Sequence, residues 1–245
     1  MKWIYTLGIV FCVMILVASS VLAQETTPPD SLLFKSAILD AQNPEPDEIY
    51  KKLTPIVGND SLIDTLINDE KHVLVVSWKN TIKDYPPTGL YNTGKWDIWV
   101  TVAPQLQEKC ISYFKTEADP VMRLRQLLGL QPMTKETFFL ELWVRPKDLF
   151  RPCPDNETSD QVCGLNLPKN VTPAYRTWFN NTRAVQYTDC ADSLYHEAGY
   201  PWTQLGYTYD WSPNNQDHVG LSEFVVKRDV KVWVRGKYLT TVYCN

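Results

Sequence analysis

Residues 230–244, VKVWVRGKYLTTVYC, carry the clearest sign of regular structure in the chain. Apolar and polar side chains alternate along both halves of this stretch, as is typical of strands with one buried face. The Gly236-Lys237 pair divides the halves, and a Gly-X pair favours the type II′ turn of a two-residue hairpin. The sequence therefore predicts a C-terminal β-hairpin. Its first strand has Val230, Val232 and Val234 on one face, and the second strand places Leu239, Thr241 and Tyr243 opposite them.

The part of the chain before this stretch has patterns typical of further strands and of a few helices. Residues 72–79, HVLVVSWK, are apolar on both alternating faces, which predicts a central strand. Residues 96–103 and 138–144 are typical of strands too, whereas residues 120–130 have apolar side chains at helical spacing behind Pro120. The predicted fold is a single α+β domain with a mainly antiparallel sheet and a few short helices.

Three segments are predicted along the chain. Residues 1–23 resemble a secretory signal peptide, because Lys2 precedes an apolar run and small residues lead to Ala23. Residues 24–70 are predicted to form a leader and a helical collar, with Ser61 capping a helix over 62–70. Residues 71–245 form the α+β domain. The expected location is outside the cytoplasm, secreted or periplasmic, with no membrane span after signal cleavage.

Charge and composition exclude several classes of partner and cofactor. The chain has 24 basic and 28 acidic residues and a formal net charge of −4, which argues against a nucleic-acid partner because phosphates need Lys and Arg. The ten glycines are scattered, so no phosphate-binding loop is present. No G-x-S-x-G nucleophile motif occurs either. The sequence thus predicts no cofactor, and it leaves the oligomeric state open.

Five cysteines follow the predicted signal peptide, and an exported chain is expected to form disulfides. Cys153 and Cys163 flank a short polar loop and form the first predicted pair; Cys110 and Cys244 form the second. Cys190 is left as an unpaired thiol, and its acidic neighbours suppress its reactivity. The spacings predict no metal site: His196 lacks a second imidazole, and the calcium-loop match that begins at Asp210 fails further along.

Residues 200–218, YPWTQLGYTYDWSPNNQDH, combine five aromatic residues with a polar run. Tyr207, Tyr209 and Trp211 are two apart, so in a strand they share a face. That face is either part of the core or a platform for a sugar or a peptide, with Tyr200 and Trp202 as a rim. The polar loop that follows is the candidate contact region, through Asn214, Asp217 and His218.

Two carboxylates stand inside apolar strands, Glu141 in FFLELWVR and Glu223 in LSEFVV. An apolar environment raises the pKa of a carboxyl group and suits it to general-acid catalysis. A pair at the right separation hydrolyses glycosides. The leading hypothesis is nevertheless a non-enzymatic binding protein for a glycan or a protein outside the cytoplasm. The alternative is an extracytoplasmic, glycosidase-like hydrolase that uses Glu141 and Glu223.

Overall fold

The computed structural model describes residues 29–187 and 199–245. These residues form a single α+β domain with a mainly antiparallel sheet, so the predicted fold class is confirmed. The predicted signal peptide lies outside the described residues. None of the helices within 29–187 and 199–245 is long and apolar enough to cross a bilayer.

The helices are α1 (Asp30–Ala41), α2 (Ala103–Thr116), α3 (Pro120–Leu127), α4 (Pro173–Tyr187) and α5 (Thr240–Tyr243). The strands are β1 (Asp64–Ile67), β2 (Glu70–Lys79), β3 (Gly89–Asn92), β4 (Ile98–Val102), β5 (Phe138–Val144), β6 (Leu149–Phe150), β7 (Tyr207–Tyr209), β8 (Val219–Val226) and β9 (Lys231–Leu239). The strand order is β3-β9-β5-β2-β4-β8-β6, while β1 pairs with β2 and β7 pairs with β8.

β2 is the central strand that the sequence predicts. It pairs with β5 on one edge and with β1 and β4 on the other. Its two faces enter different cores because successive side chains point to opposite sides of a sheet. Val73 and Val75 belong to one core, and Leu74, Val76 and Trp78 belong to the other. The second face is covered by α2, α3 and α5, and we call it the helix-covered face.

The predicted C-terminal hairpin is wrong. β9 runs without a turn through Gly236, which does not adopt the positive φ that a type II′ turn requires. β9 pairs with β5 along one edge and with β3 along the other. A bulge absorbs the interruption, because Glu141 lies opposite Gly236 whereas Leu142 lies opposite Val234, which leaves Arg235 as the extra residue. The chain then turns into α5 instead of returning as a strand.

A two-residue hairpin does occur, at a place where the sequence predicts a helix. β1 and β2 are joined by Asn68 and Asp69, which have φ values of 52° and 62°. Two positive φ values are what a type I′ turn demands, and Asn and Asp tolerate them better than most residues. The prediction of a helix over 62–70 with Ser61 as its cap is therefore wrong, because residues 64–67 form strand β1.

Both predicted cysteine pairs form disulfides. Cys153 and Cys163 close a ten-residue separation, with Cα atoms 6.5 Å apart. Cys110 on α2 and Cys244 after α5 are 134 residues apart in sequence, with Cα atoms 5.0 Å apart. The second bond therefore fastens the C-terminal end of the chain to a helix on the helix-covered face. Cys190 lies outside the described residues.

Arg151 is a buried cation that joins three segments at the end of β6. It is fully buried, and its guanidinium donates to the Asp160 carboxylate at 2.5 Å. It also donates to the main-chain carbonyls of Asp160 at 2.8 Å and Thr54 at 3.3 Å. Gly206 packs against its stem with a φ of +81°, and a Cβ there would lie 2.6 Å from the Arg151 Cδ. Only glycine fits that position.

We expect Asp160→Ala to cost about 3 kcal/mol of unfolding free energy, because it leaves a buried guanidinium without its counter-charge. Urea denaturation followed by tryptophan fluorescence measures this cost. Asp64→Ala is the matched control, since Asp64 pairs with Lys71 where both side chains are well exposed; its expected cost is below about 1 kcal/mol. Equal costs for the two variants would show that the Asp160–Arg151 ion pair contributes no more to stability than an exposed ion pair does.

Candidate functional site

A cavity of about 380 Å³ lies on the helix-covered face of the sheet. Its walls come from β2, β4 and β8 and from the segments around Gly129 and Trp202. Pockets that hold small molecules are commonly about 300–1,000 Å³, so this one has room for a small ligand. Asn80 and Tyr200 are exposed and lie at its solvent-facing end. We call it the Glu223 cavity.

Glu223 is the carboxyl group in this cavity whose pKa is strongly raised. It lies on β8, half-buried, directly opposite Thr101 on β4. Burial raises its pKa from 4.5 to about 8, because a carboxylate loses hydration there and gains no compensating partner. No residue within 29–187 or 199–245 forms a hydrogen bond or an ion pair with its carboxyl group. Glu223 is therefore a largely protonated acid at neutral pH.

Other polar groups of the cavity wall are also incompletely satisfied. Thr101 Oγ1 and Glu136 Oε2 are buried and have no hydrogen-bond partner in the part of the chain that the structure describes. Burial lowers the pKa of the Lys79 ammonium, and the nearby charge of Glu136 partly opposes that shift. Buried polar groups normally find partners. Two of the buried polar atoms that lack a partner in the described part of the chain therefore line this cavity, and the other two, Arg125 Nε and Arg151 Nε, lie elsewhere.

Aromatic rings form one wall of the cavity. Trp99 lies on β4, and Trp202 meets it edge to face with ring centroids 6.0 Å apart. Trp178 of α4 packs on both rings, at 6.2 and 6.1 Å. The indole N–H of Trp202 donates to the Pro152 carbonyl at 2.9 Å, and that of Trp178 donates to Asp97 at 2.9 Å. These contacts hold the rings in fixed orientations.

Glu141, the other predicted catalytic carboxylate, lies elsewhere. Glu141, Val76, Thr101 and Glu223 form one row across β5, β2, β4 and β8. Three strand spacings of about 4.8 Å put the backbones of the two glutamates roughly 14 Å apart. Glycosidase carboxyl pairs are about 5–10 Å apart. Glu141 also forms an ion pair with Arg235 and accepts a hydrogen bond from the Tyr243 hydroxyl at 3.1 Å. The two glutamates therefore do not make the predicted pair.

The aromatic strand is part of the core and not an exposed platform. Tyr207, Tyr209 and Trp211 are each at most 4% exposed. Trp211 packs on Phe34 of α1, and the Tyr209 hydroxyl donates to Asp40 of the same helix at 2.7 Å. The Tyr207 hydroxyl donates to the Glu48 carbonyl at 2.9 Å. The chain's own residues 30–50 cover this face, so the platform interpretation is wrong; Tyr209 borders the cavity as well.

The polar loop after the aromatic strand lies outside the lining of the cavity. Asn214 and Asp217 are exposed, while His218 stacks on Tyr209 with ring centroids 4.8 Å apart. Asp210 begins the loop, and both of its carboxylate oxygens accept from Arg123, at 2.9 and 2.6 Å. That ion pair takes the place of a cation at the failed calcium motif. The predicted role of Asn214, Asp217 and His218 in binding stays a prediction.

Metal ligation finds no support among residues 29–187 and 199–245, where no cluster of three or more His, Cys, Asp or Glu side chains occurs. His196, which the sequence offers as a metal ligand together with Asp192 four residues before it, lies outside the described residues, as does Asp192. No protein-family model, curated protein or solved structure matches the chain.

Sequence reasoning found only part of this site. It singled out Glu223 as a carboxylate among apolar residues, and it placed Tyr200 and Trp202 at the rim of a binding surface; both line the cavity. It missed Trp99, Thr101, Lys79 and Glu136. A signal for two of them exists in residues 98–102, IWVTV, where Trp and Thr share the face opposite to three aliphatic residues.

Proposed function

We propose that the protein is an exported, non-enzymatic binding protein that holds a small glycan in the Glu223 cavity. One observation carries the proposal: fixed tryptophan rings and polar groups without partners meet in a cavity of ligand size. Ring faces stack on the apolar faces of sugars, and hydroxyl groups of a sugar supply hydrogen bonds that the wall lacks. The two disulfides support export, since such bonds persist in oxidising compartments.

A small glycan fits the cavity better than the other ligand classes. The net charge of −4 disfavours nucleotides and nucleic acids. A purely apolar ligand would leave Glu223, Thr101 and Glu136 buried and unpaired, which costs free energy for each group. A protein partner would need a larger and flatter surface than a cavity offers. The mixture of rings, hydroxyl and carboxyl groups matches a ligand with both apolar faces and polar edges.

A thermal-shift series with soluble mono- and disaccharides tests this proposal. A ligand that binds only the folded state at a hundred times its Kd should add about 2.7 kcal/mol of stability. Trp99→Ala should weaken binding about tenfold, because it removes a stacking surface worth about 1.4 kcal/mol. Trp96→Ala is the matched control, because Trp96 is 66% exposed and lies outside the cavity lining.

Two results would contradict this site assignment. If Trp99→Ala bound the sugar normally while Asn214→Ala or Asp217→Ala lost binding, the ligand would lie on the polar loop. If no sugar shifted the transition, the glycan class itself would be wrong. Cross-linking for a protein partner is then the next experiment.

One observation favours hydrolysis as a second candidate function. The cavity holds two carboxyl groups, Glu223 and Glu136, and the pKa of the first is raised to about 8 as a general acid requires. Incubating the protein with any disaccharide that binds, and measuring the monosaccharide released, decides between the two functions. Release that Glu223→Gln abolishes would replace binding with catalysis; no release at saturation would leave the binding proposal in place.

A further inference from the structure

The Glu223 cavity contains one acidic group more than it has basic groups. In the part of the chain that the structure describes, the charged lining residues are Lys79, Glu136 and Glu223. Lys79 and Glu136 influence each other electrostatically, whereas Glu223 has no cationic partner among residues 29–187 and 199–245. The other titratable groups of the lining are the phenols of Tyr200 and Tyr209. Glu223 keeps its proton when no ligand is bound, and a ligand that brings one positive charge would replace that proton and pair with the carboxylate.

The surroundings of Glu223 suit a cationic group. Thr101 lies directly across the strand pair from Glu223, and Trp99 is the next residue of β4 on the same face. Diagonal neighbours in a sheet are about 7–8 Å apart, within reach of a tryptophan side chain. An ammonium group between a carboxylate and an indole ring gains an ion pair and a cation–π contact together. Neither a neutral nor an acidic sugar gains both.

We propose that the ligand presents a protonated amine to Glu223, so that the favoured glycans are amino sugars with a free ammonium group. This inference rests on the proposed function, because it names the chemistry of a ligand in the same cavity. When the ammonium binds, the Glu223 carboxyl group releases its proton to the buffer and remains as the carboxylate of the ion pair. The amine keeps its own proton throughout.

Three disaccharides with the same linkage and different groups at C2 test the inference: the β-1,4 dimer of glucosamine, its di-N-acetylated form and cellobiose. At pH 6, where the amines are charged, we expect the glucosamine dimer to bind at least tenfold more tightly than the other two. Glu223→Gln should remove that preference while it keeps the shape of the side chain. Glu117→Gln is the matched control, since Glu117 is exposed and outside the lining.

Proton release gives a second readout that is independent of affinity. Titration calorimetry in two buffers with different ionisation enthalpies should show about one proton released per glucosamine dimer bound at pH 6. The release should disappear in Glu223→Gln and persist in Glu117→Gln. Binding without proton release would overturn the assignment of the ammonium to Glu223.

The remaining outcomes separate this inference from the proposed function. Equal binding of all three disaccharides would contradict the assignment of an amine to the ligand but would still support the glycan-binding function. Cyclohexylamine and cyclohexanol serve as a matched pair without a sugar. If cyclohexylamine bound while cyclohexanol and all three disaccharides did not, the result would support a cationic ligand and contradict a glycan ligand. If no probe of either set bound, the amine and the glycan would both be wrong.

Discussion

Glu223→Gln is expected to stabilise the protein by about 5 kcal/mol at pH 9 and by almost nothing at pH 4. The folded state holds the Glu223 proton up to a pKa of about 8, whereas the unfolded chain releases it near 4.5. Between these values the unfolded state binds fewer protons, so stability falls as the pH rises, by about 1.36 kcal/mol per unit. The glutamine variant has no proton to lose and escapes this penalty.

Urea denaturation of both proteins at pH 4, 6, 8 and 9 measures the effect as a difference that widens with pH. Glu117→Gln should show no such widening, because Glu117 is exposed. Parallel curves for Glu223→Gln and the native protein would mean that Glu223 is hydrated, and the argument for a ligand-ready acid would fail. A confirmed penalty would show that the fold keeps a destabilising group in its cavity. Such groups are characteristic of functional sites.

Removal of the Cys110–Cys244 disulfide, as Cys110→Ala with Cys244→Ala, is expected to cost about 5 kcal/mol. The bond closes a loop of 134 residues, and the loss of chain entropy in the unfolded state grows with the logarithm of loop length. Domains are commonly stable by only 5–15 kcal/mol, so the variant should be close to unfolding at room temperature. Alanine avoids placing a hydroxyl group in the apolar core that surrounds Cys110.

The second disulfide is the matched comparison for that experiment. Cys153 and Cys163 are only ten residues apart, so the same relation expects a loss of about 3 kcal/mol from their double alanine variant. Urea denaturation of both variants gives the difference of about 2 kcal/mol. If the short-loop variant lost as much as the long-loop variant, local packing and not chain entropy would be the main contribution of these bonds.

The elements that the sequence predicts correctly depend on local spacing. β5 has the predicted limits, and the helix behind Pro120 and the central strand β2 are where the patterns place them. Asn68 and Asp69 were misassigned because an apolar pattern of helical spacing competed with a turn that two positive φ values define. Gly236 was misassigned to a turn because a glycine suits a β-bulge as well as a turn. Pairing of β9 with β3 and β5 selects the bulge.

The candidate site was harder to predict for the same reason. Glu141 and Glu223 have the same local pattern, a carboxylate between apolar neighbours on a strand. Glu141 forms an ion pair with Arg235 and accepts a hydrogen bond from Tyr243, and both partners are more than 90 residues away in sequence. Glu223 meets a cavity whose other walls come from β2, β4 and the segment around Trp202. The residue spacing within β5 or β8 does not reveal which glutamate has side-chain partners and which one lines a cavity.

The amino-acid sequence by itself favoured two cysteine pairs without fixing them, because spacing alone does not set connectivity. It determined the fold class and the alternation that places Tyr207, Tyr209 and Trp211 on one side of their strand. Only the tertiary structure decided what covers that side, and residues 30–50 cover it. It also decided that Glu141 has an ion-pair partner whereas Glu223 has none among the described residues. Periodicity reports which side chains share a face because it depends on backbone geometry alone. The neighbour that a face meets depends on contacts between distant segments, which form only when the whole chain packs.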